Sequence, residues 1–190
     1  NQRVIAYPQR KESLVQFARD VFLPVTKQYC VTCLFAPGGG KRTFVTFLLK
    51  EKAILQELFG TSYQKTLLLY VNPDEALEET NEAYLRLMRD TLLLSFTQRR
   101  ITYPVPAVDN PLQLLKYFVS QLVHDSWHVV FLFSDFEYTL MLSPSIYRNL
   151  ETILGLEKKR VTFVFLSGRN LLAPELLVKF HNLKYAISRF

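Results

Sequence analysis

Short apolar runs that do not alternate with polar residues constrain this chain most. They are Gln28–Phe35, Lys65–Val71, Val129–Phe133 and Arg160–Ser167. A half-exposed antiparallel strand would alternate, whereas strands buried on both faces of a parallel sheet read as continuous apolar stretches. The segments between them change to helical spacing. Leu14, Phe17, Ala18, Val21 and Phe22 predict a helix from Lys11 to Phe22, and Phe44, Val45, Phe47, Leu48 and Leu49 predict another after the first run. Asn72-Pro73-Asp74 closes the second run, with Asp74 placed to cap a helix opened by Glu75. Acidic residues crowd 74–82 and basic ones return at Arg86, Arg89, Arg99 and Arg100, which suits the dipoles of one or two helices. Tyr103-Pro104-Val105-Pro106 breaks the chain, and Asp109-Asn110-Pro111 restarts a helix through Val123. Further helices are expected over about 144–155 and Pro174 to Phe180, and a last strand over Lys184–Ser188. The expectation is an α/β fold: a parallel five-stranded sheet flanked by helices, forming one domain over 1–190.

Bulk properties narrow the setting. With 49% hydrophobic residues in 190, the chain can bury one substantial core. No apolar run reaches the roughly 18 residues of a membrane span, and Asn1–Ala6 lacks the shape of a signal peptide. No membrane partner is expected, and the expected location is cytoplasmic, or nuclear in a eukaryote. A net charge of +6 permits contact with DNA or another polyanion, although the basic residues are scattered. Cys30 and Cys33 stand three apart in a predicted strand and so point to opposite faces, which reads as two buried reduced thiols. His124 and His128 have helical spacing, but Asp125-Ser126-Trp127 between them reads as a helix end.

Chemistry concentrates where the first run ends. Phe35-Ala36-Pro37-Gly38-Gly39-Gly40-Lys41-Arg42-Thr43 reads as a phosphate-binding loop. Such a loop wraps polyphosphate in backbone N–H groups, so it needs glycines where a Cβ would block the approach and a lysine opening the next helix. An ordinary strand-to-helix turn is the plain alternative. The third run ends in Ser134-Asp135-Phe136-Glu137, where one carboxylate could hold magnesium and another polarise a water. The fourth ends in Ser167-Gly168-Arg169-Asn170, where Ser167 or Asn170 could reach a terminal phosphate. Polar groups at the carboxyl ends of buried parallel strands mark the place where open sheets bind ligands. A simple N-cap is the plain alternative for these acids.

In this order of motifs the chain resembles the AAA+ P-loop ATPases, within them the origin-recognition and signal-transduction (STAND) branches. Tyr7-Pro8-Gln9-Arg10-Lys11-Glu12-Ser13-Leu14 is similar to the family's opening box, which puts Tyr7 near adenine. Gly38–Thr43 matches the Walker A loop, Val129–Glu137 the Walker B strand, and Leu166–Asn170 the sensor-1 strand. The resemblance implies ATP or ADP held by Pro37, Gly38, Gly39, Gly40, Lys41, Arg42 and Thr43. It also implies partners that are paralogous AAA+ subunits, other proteins or DNA. Tyr185–Phe190 resembles the strand that hands the chain to a helical lid, so a fragment of a longer protein is expected.

Departures from the pattern fall on the magnesium site. The glycine expected five places before Gly40 is Phe35, and the hydroxyl expected after Lys41 is Arg42. If Ser134-Asp135 aligns with the family's Asp-Glu, Ser134 stands where magnesium is held and Asp135 where water is polarised. If the strand slips by one, Asp135 holds the ion and Glu137 is the base. Thr43 could offer a displaced hydroxyl to the ion, and Arg42 a guanidinium in its place. The expectation is a nucleotide-binding core that is at most a weak ATPase, with magnesium doubtful. The rival is a nucleotide-free scaffold that uses its surface for subunit assembly or DNA.

Overall fold

The computed structural model of the chain describes residues 11–22, 30–36, 39–157 and 159–187. Tyr7, Pro37 and Gly38, expected at the site, lie outside the described residues. The elements run α1 (Lys11–Phe22), β1 (Cys30–Leu34), α2 (Lys41–Lys50), α3 (Lys52–Phe59), β2 (Thr66–Val71), α4 (Asn81–Arg99), α5 (Pro111–His124), β3 (His128–Ser134), α6 (Ser145–Leu154), β4 (Val161–Ser167), α7 (Pro174–Leu177) and α8 (Lys184–Ile187).

All strand pairs are parallel, in the order β1-β4-β3-β2. The register explains why the strands are apolar throughout. Cys30, Phe163, Phe131 and Leu69 form one row across the sheet and enter the core beneath α4, α5 and α6. One residue further on, Val31, Val164, Leu132 and Tyr70 form a row facing the core beneath α1, α2 and α3. Alternation therefore sends each strand's side chains into two separate cores, and neither face is left to water. Cys30 lies in the first core and Cys33 in the second, as free thiols.

Two expectations are corrected. The sheet has four strands, not five: residues 184–187 form the short helix α8, and Ser188 lies outside the described residues. Leu183 and Ile187 are both buried while Tyr185 is 57% exposed. In a strand Tyr185 and Ile187 would share a face, whereas burial at 180, 183 and 187 has helical spacing. Likewise Asp74 opens no α-helix. Asn72 Oδ1 accepts the Asp74 N–H at 3.3 Å, closing a 3-10 turn over Pro73–Glu75. The helix begins at Asn81, where Thr80 Oγ1 accepts the Ala83 N–H at 3.1 Å. At α5 the expected restart holds, with Asn110 Oδ1 accepting from Gln113 N and Pro111 in the first turn. His124 ends α5 and His128 opens β3, so the two imidazoles share no helix face. Among the described residues no helix is long and apolar enough to cross a membrane.

Candidate functional site

The carboxyl ends of β1, β4 and β3 lie side by side, and β4 and β3 lead into polar turns. At β1 the Phe35 N–H donates to the Ser167 carbonyl at 2.9 Å, extending the pairing with β4 by one residue. The Phe35 ring, where the P-loop pattern has glycine, is 2% exposed and meets Phe17 of α1 edge-on with centroids 5.5 Å apart. A large side chain is tolerated there because it points into the core and not into the loop.

The glycines that follow are required by the backbone. Gly39 N–H donates to the Ala36 carbonyl at 2.7 Å, and a Cβ on Gly39 would lie 2.6 Å from that oxygen. Gly40 takes φ 76° and ψ 25°, the left-handed region that costs L side chains energy. α2 then starts at Lys41, with the Phe44 N–H donating to the Gly40 carbonyl at 2.9 Å. Among the described residues, no side chain caps the first-turn N–H groups of α2.

Across this turn the Lys41 ammonium is ion-paired with the Asp135 carboxylate at the end of β3. Asp135 sits at φ 47°, and its other oxygen accepts from Ser134 Oγ at 3.0 Å. Ser134 is 1% exposed and in register with Leu166, which is paired in turn with Cys33. Its Cβ therefore falls on the α2 face of the sheet, while Asp135 leaves the strand in the turn. Arg42 is turned away from Lys41: its guanidinium pairs with Asp74 beyond β2 at 2.7 Å, and both side chains are exposed. Thr43 is exposed on the first turn of α2.

A second cluster joins β3 to β4. Glu137, in the 3-10 turn Phe136–Met141, accepts from Ser167 Oγ at 2.7 Å and from the Gly168 N–H at 2.9 Å. Ser167 Oγ accepts in turn from the Arg169 N–H at 3.0 Å. A Cβ on Gly168 would approach the Glu137 carboxylate to 3.1 Å. Asn170 is exposed, and its Oδ1 accepts from Leu172 N at 3.1 Å within its own turn.

The structure thus joins Lys41, Ser134 and Asp135 in one group and Glu137 and Ser167 in a second, while Arg42 and Asn170 face other partners. Sequence reasoning treated Asp74 only as a cap and did not see its pairing with Arg42. The signal was present: β2, like β3 and β4, ends in polar residues.

No protein-family model and no curated protein matches the sequence. Solved structures do match. Cdc6p from Pyrobaculum aerophilum superposes with a TM-score of 0.57 at 15% identity, over 100% of this chain and 46% of that one. The ORC2 protein of Aeropyrum pernix in its ADP form gives 0.59 at 15% identity, over 99% and 48%. The Aeropyrum pernix ORC1 protein in complex with DNA gives 0.63 at 12% identity, over 98% and 45%. The chain shares the fold of these proteins. The chain spans about half the length of these proteins, and at such identities the likeness concerns the fold alone.

Proposed function

We propose that the chain is the nucleotide-binding core of an AAA+ protein, taking ATP or ADP at Gly38–Lys41 with weak or absent hydrolysis. One observation carries this: Lys41 opens α2 directly behind a left-handed glycine, and its ammonium already holds a carboxylate at the end of β3. The loop fits phosphate. Its glycines keep side chains out of the cradle, the uncapped N–H groups of α2 can donate to anionic oxygens, and Lys41 supplies positive charge. The ADP form of the ORC2 protein supports an adenine nucleotide as ligand.

Weak hydrolysis is inferred from how the acids are used. Glu137 holds the start of the turn after β4, so its oxygens are committed to Ser167 and Gly168. Asp135 is committed to Lys41, and the α2-facing position at the end of β3 is the uncharged Ser134. Thr43 and Asp135 are the residues that would hold magnesium, which when bound neutralises charge between phosphates. Ser167 and Asn170 would be the groups nearest a terminal phosphate. Related AAA+ subunits or DNA are the proposed partners; the ORC1 protein crystallised with DNA supports the second. The nucleotide-free scaffold remains the competing reading, favoured by the uncharged Ser134 at the end of β3 and by an Arg42 drawn off to Asp74.

Calorimetric titration of ATP and ADP, with and without magnesium, tests the proposal. Binding by the wild type that Lys41→Ala abolishes is expected. Equal heats for both proteins would assign the loop a structural role and leave the scaffold.

A further inference from the structure

We propose that the opposite edge of the sheet carries a second anion site, which holds backbone phosphates of a nucleic-acid strand. The inference rests on the DNA part of the reading above, but not on the nucleotide loop. The loops entering β2, β3 and β4 converge there around a cavity of about 740 Å³. It lies a strand's length from Lys41, roughly 20 Å for seven residues at about 3.3 Å each.

Each of the three loops supplies donors to this cavity: Lys65 and Ser62 before β2, Ser126 before β3, and Lys159 and Arg160 before β4. The cations are positioned without being neutralised. Lys65 Nζ donates to the Asp125 carbonyl at 2.8 Å, and Arg160 donates to the Ser126 carbonyl at 2.7 Å. Two successive carbonyls of one turn thus hold two cations at the same mouth, and that turn places the non-glycine Ser126 at φ 67°. A neutral carbonyl leaves each cation its full charge. Among the described residues, no carboxylate lies within ion-pair distance of Lys65, Lys159 or Arg160.

Nearby acids offset this charge only in part, since Lys65, Lys159 and Arg160 face a single lining carboxylate. The Asp125 carboxylate accepts from Tyr103 OH at 2.7 Å, and Glu157, the only carboxylate among the lining residues, accepts from the Lys159 N–H at 3.3 Å. His128 lines the cavity with its Nε2 2.9 Å from Thr162 Oγ1. Arg99 adds positive charge alongside, stacked over Tyr63 at 5.7 Å and Trp127 at 6.0 Å, each the neighbour of a lining serine. Cations and hydroxyls spread over three loops suit a polymer that presents phosphate after phosphate, which positioning contacts recognise without reading sequence.

The test is fluorescence anisotropy of a labelled single-stranded oligonucleotide across a salt series, using the full chain. About 0.7 of slope in log K against log salt is expected per phosphate contact, so three contacts give a slope near −2. Lys159 is exposed and its side chain makes no hydrogen bond among the described residues, so its variants should fold. Lys159→Ala should remove about 0.7 of that slope and Lys159→Glu should weaken binding further, both at unchanged melting temperature. Lys41→Ala should leave oligonucleotide binding intact, which separates this site from the nucleotide loop. The assignment is overturned if the wild type binds inorganic tripolyphosphate but no oligonucleotide, if it binds neither, or if Lys159→Glu binds the oligonucleotide as tightly as the wild type.

Discussion

The Lys41 ammonium and the Asp135 carboxylate form an ion pair that bridges the first residue of α2 and the turn after β3. An incoming phosphate must compete with Asp135 for this lysine, because one ammonium cannot face both anions at full strength. The pair therefore opposes nucleotide binding, while its partial exposure keeps its effect near that of a surface pair, about 1 kcal/mol or less. Asp135→Asn should tighten ADP binding in the absence of magnesium by up to about fivefold. Weaker ADP binding by this variant in calorimetry would show that Asp135 supports the ligand and does not compete with it.

Gly39 gives a sharper test of the loop. A methyl group there meets the Ala36 carbonyl at 2.6 Å, a backbone atom that cannot swing aside. Gly39→Ala should distort the turn, abolish nucleotide binding and lower stability by about 1–3 kcal/mol. Unchanged binding and an unchanged melting temperature in this variant would mean that the turn is not the cradle.

The sheet was legible in the sequence because its strands are buried on both faces, and unbroken runs such as Val129–Phe133 have little else to become. α1 was legible from its periodicity, and α5 from the restart at Asp109-Asn110-Pro111. The last apolar stretch was not. The three apolar residues Tyr185–Ile187 suit a strand or one helical turn equally, and only packing of Phe180, Leu183 and Ile187 into one core decides for the turn. The site was legible as a set of residues at strand ends but not as pairs. That Glu137 meets Ser167 while Asp135 meets Lys41 depends on the β3–β4 register, with Ser134 beside Leu166, which no local pattern encodes.

The cysteines report on folding. Burial pushes both the Cys30 and the Cys33 thiols up to about 12, so at pH 8 both stay protonated in the folded state. Their positions in separate cores also prevent a disulfide between them. Ellman's reagent at pH 8 should therefore react with neither thiol in native protein and with both in denaturant, at a rate set by unfolding. Rapid reaction of one thiol without denaturant would place that strand outside the core.

His128 gives stability a pH dependence of known sign. Burial, and then the nearby Arg160, lower its proton affinity below the ordinary value of 6.5. Its contribution is present above that value. As pH falls through 6.5 the unfolded chain takes up a proton that the folded chain refuses, so stability is lost. Urea midpoints should decline from pH 7 to pH 5, and His128→Asn should flatten that part of the profile. An equal decline in the variant would move the cause to other groups.

Glu137 decides between a catalytic and an architectural role for the acid after β3. Its two oxygens accept from Ser167 Oγ and the Gly168 N–H, both at the end of β4. Removing the acceptor leaves the Gly168 N–H and the nearly buried Ser167 hydroxyl without that partner, at a cost of about 1–3 kcal/mol. For a chain of this size that is a fall in melting temperature of roughly 2–12 °C in Glu137→Ala. Glu137→Gln keeps one carbonyl oxygen for the Gly168 N–H but turns an amide donor to Ser167, whose hydroxyl proton loses its acceptor, so it should melt between Glu137→Ala and the wild type. The same Gln variant separates the roles, since an amide can hold the turn but cannot take a proton from water. If Glu137 only holds the turn, Glu137→Gln keeps both nucleotide affinity and whatever slow ATP turnover the wild type shows. A wild type that hydrolyses ATP at an ordinary rate, with turnover lost in Glu137→Gln at unchanged nucleotide affinity and with the protein still folded, would make Glu137 the base and shift the strand alignment by one residue.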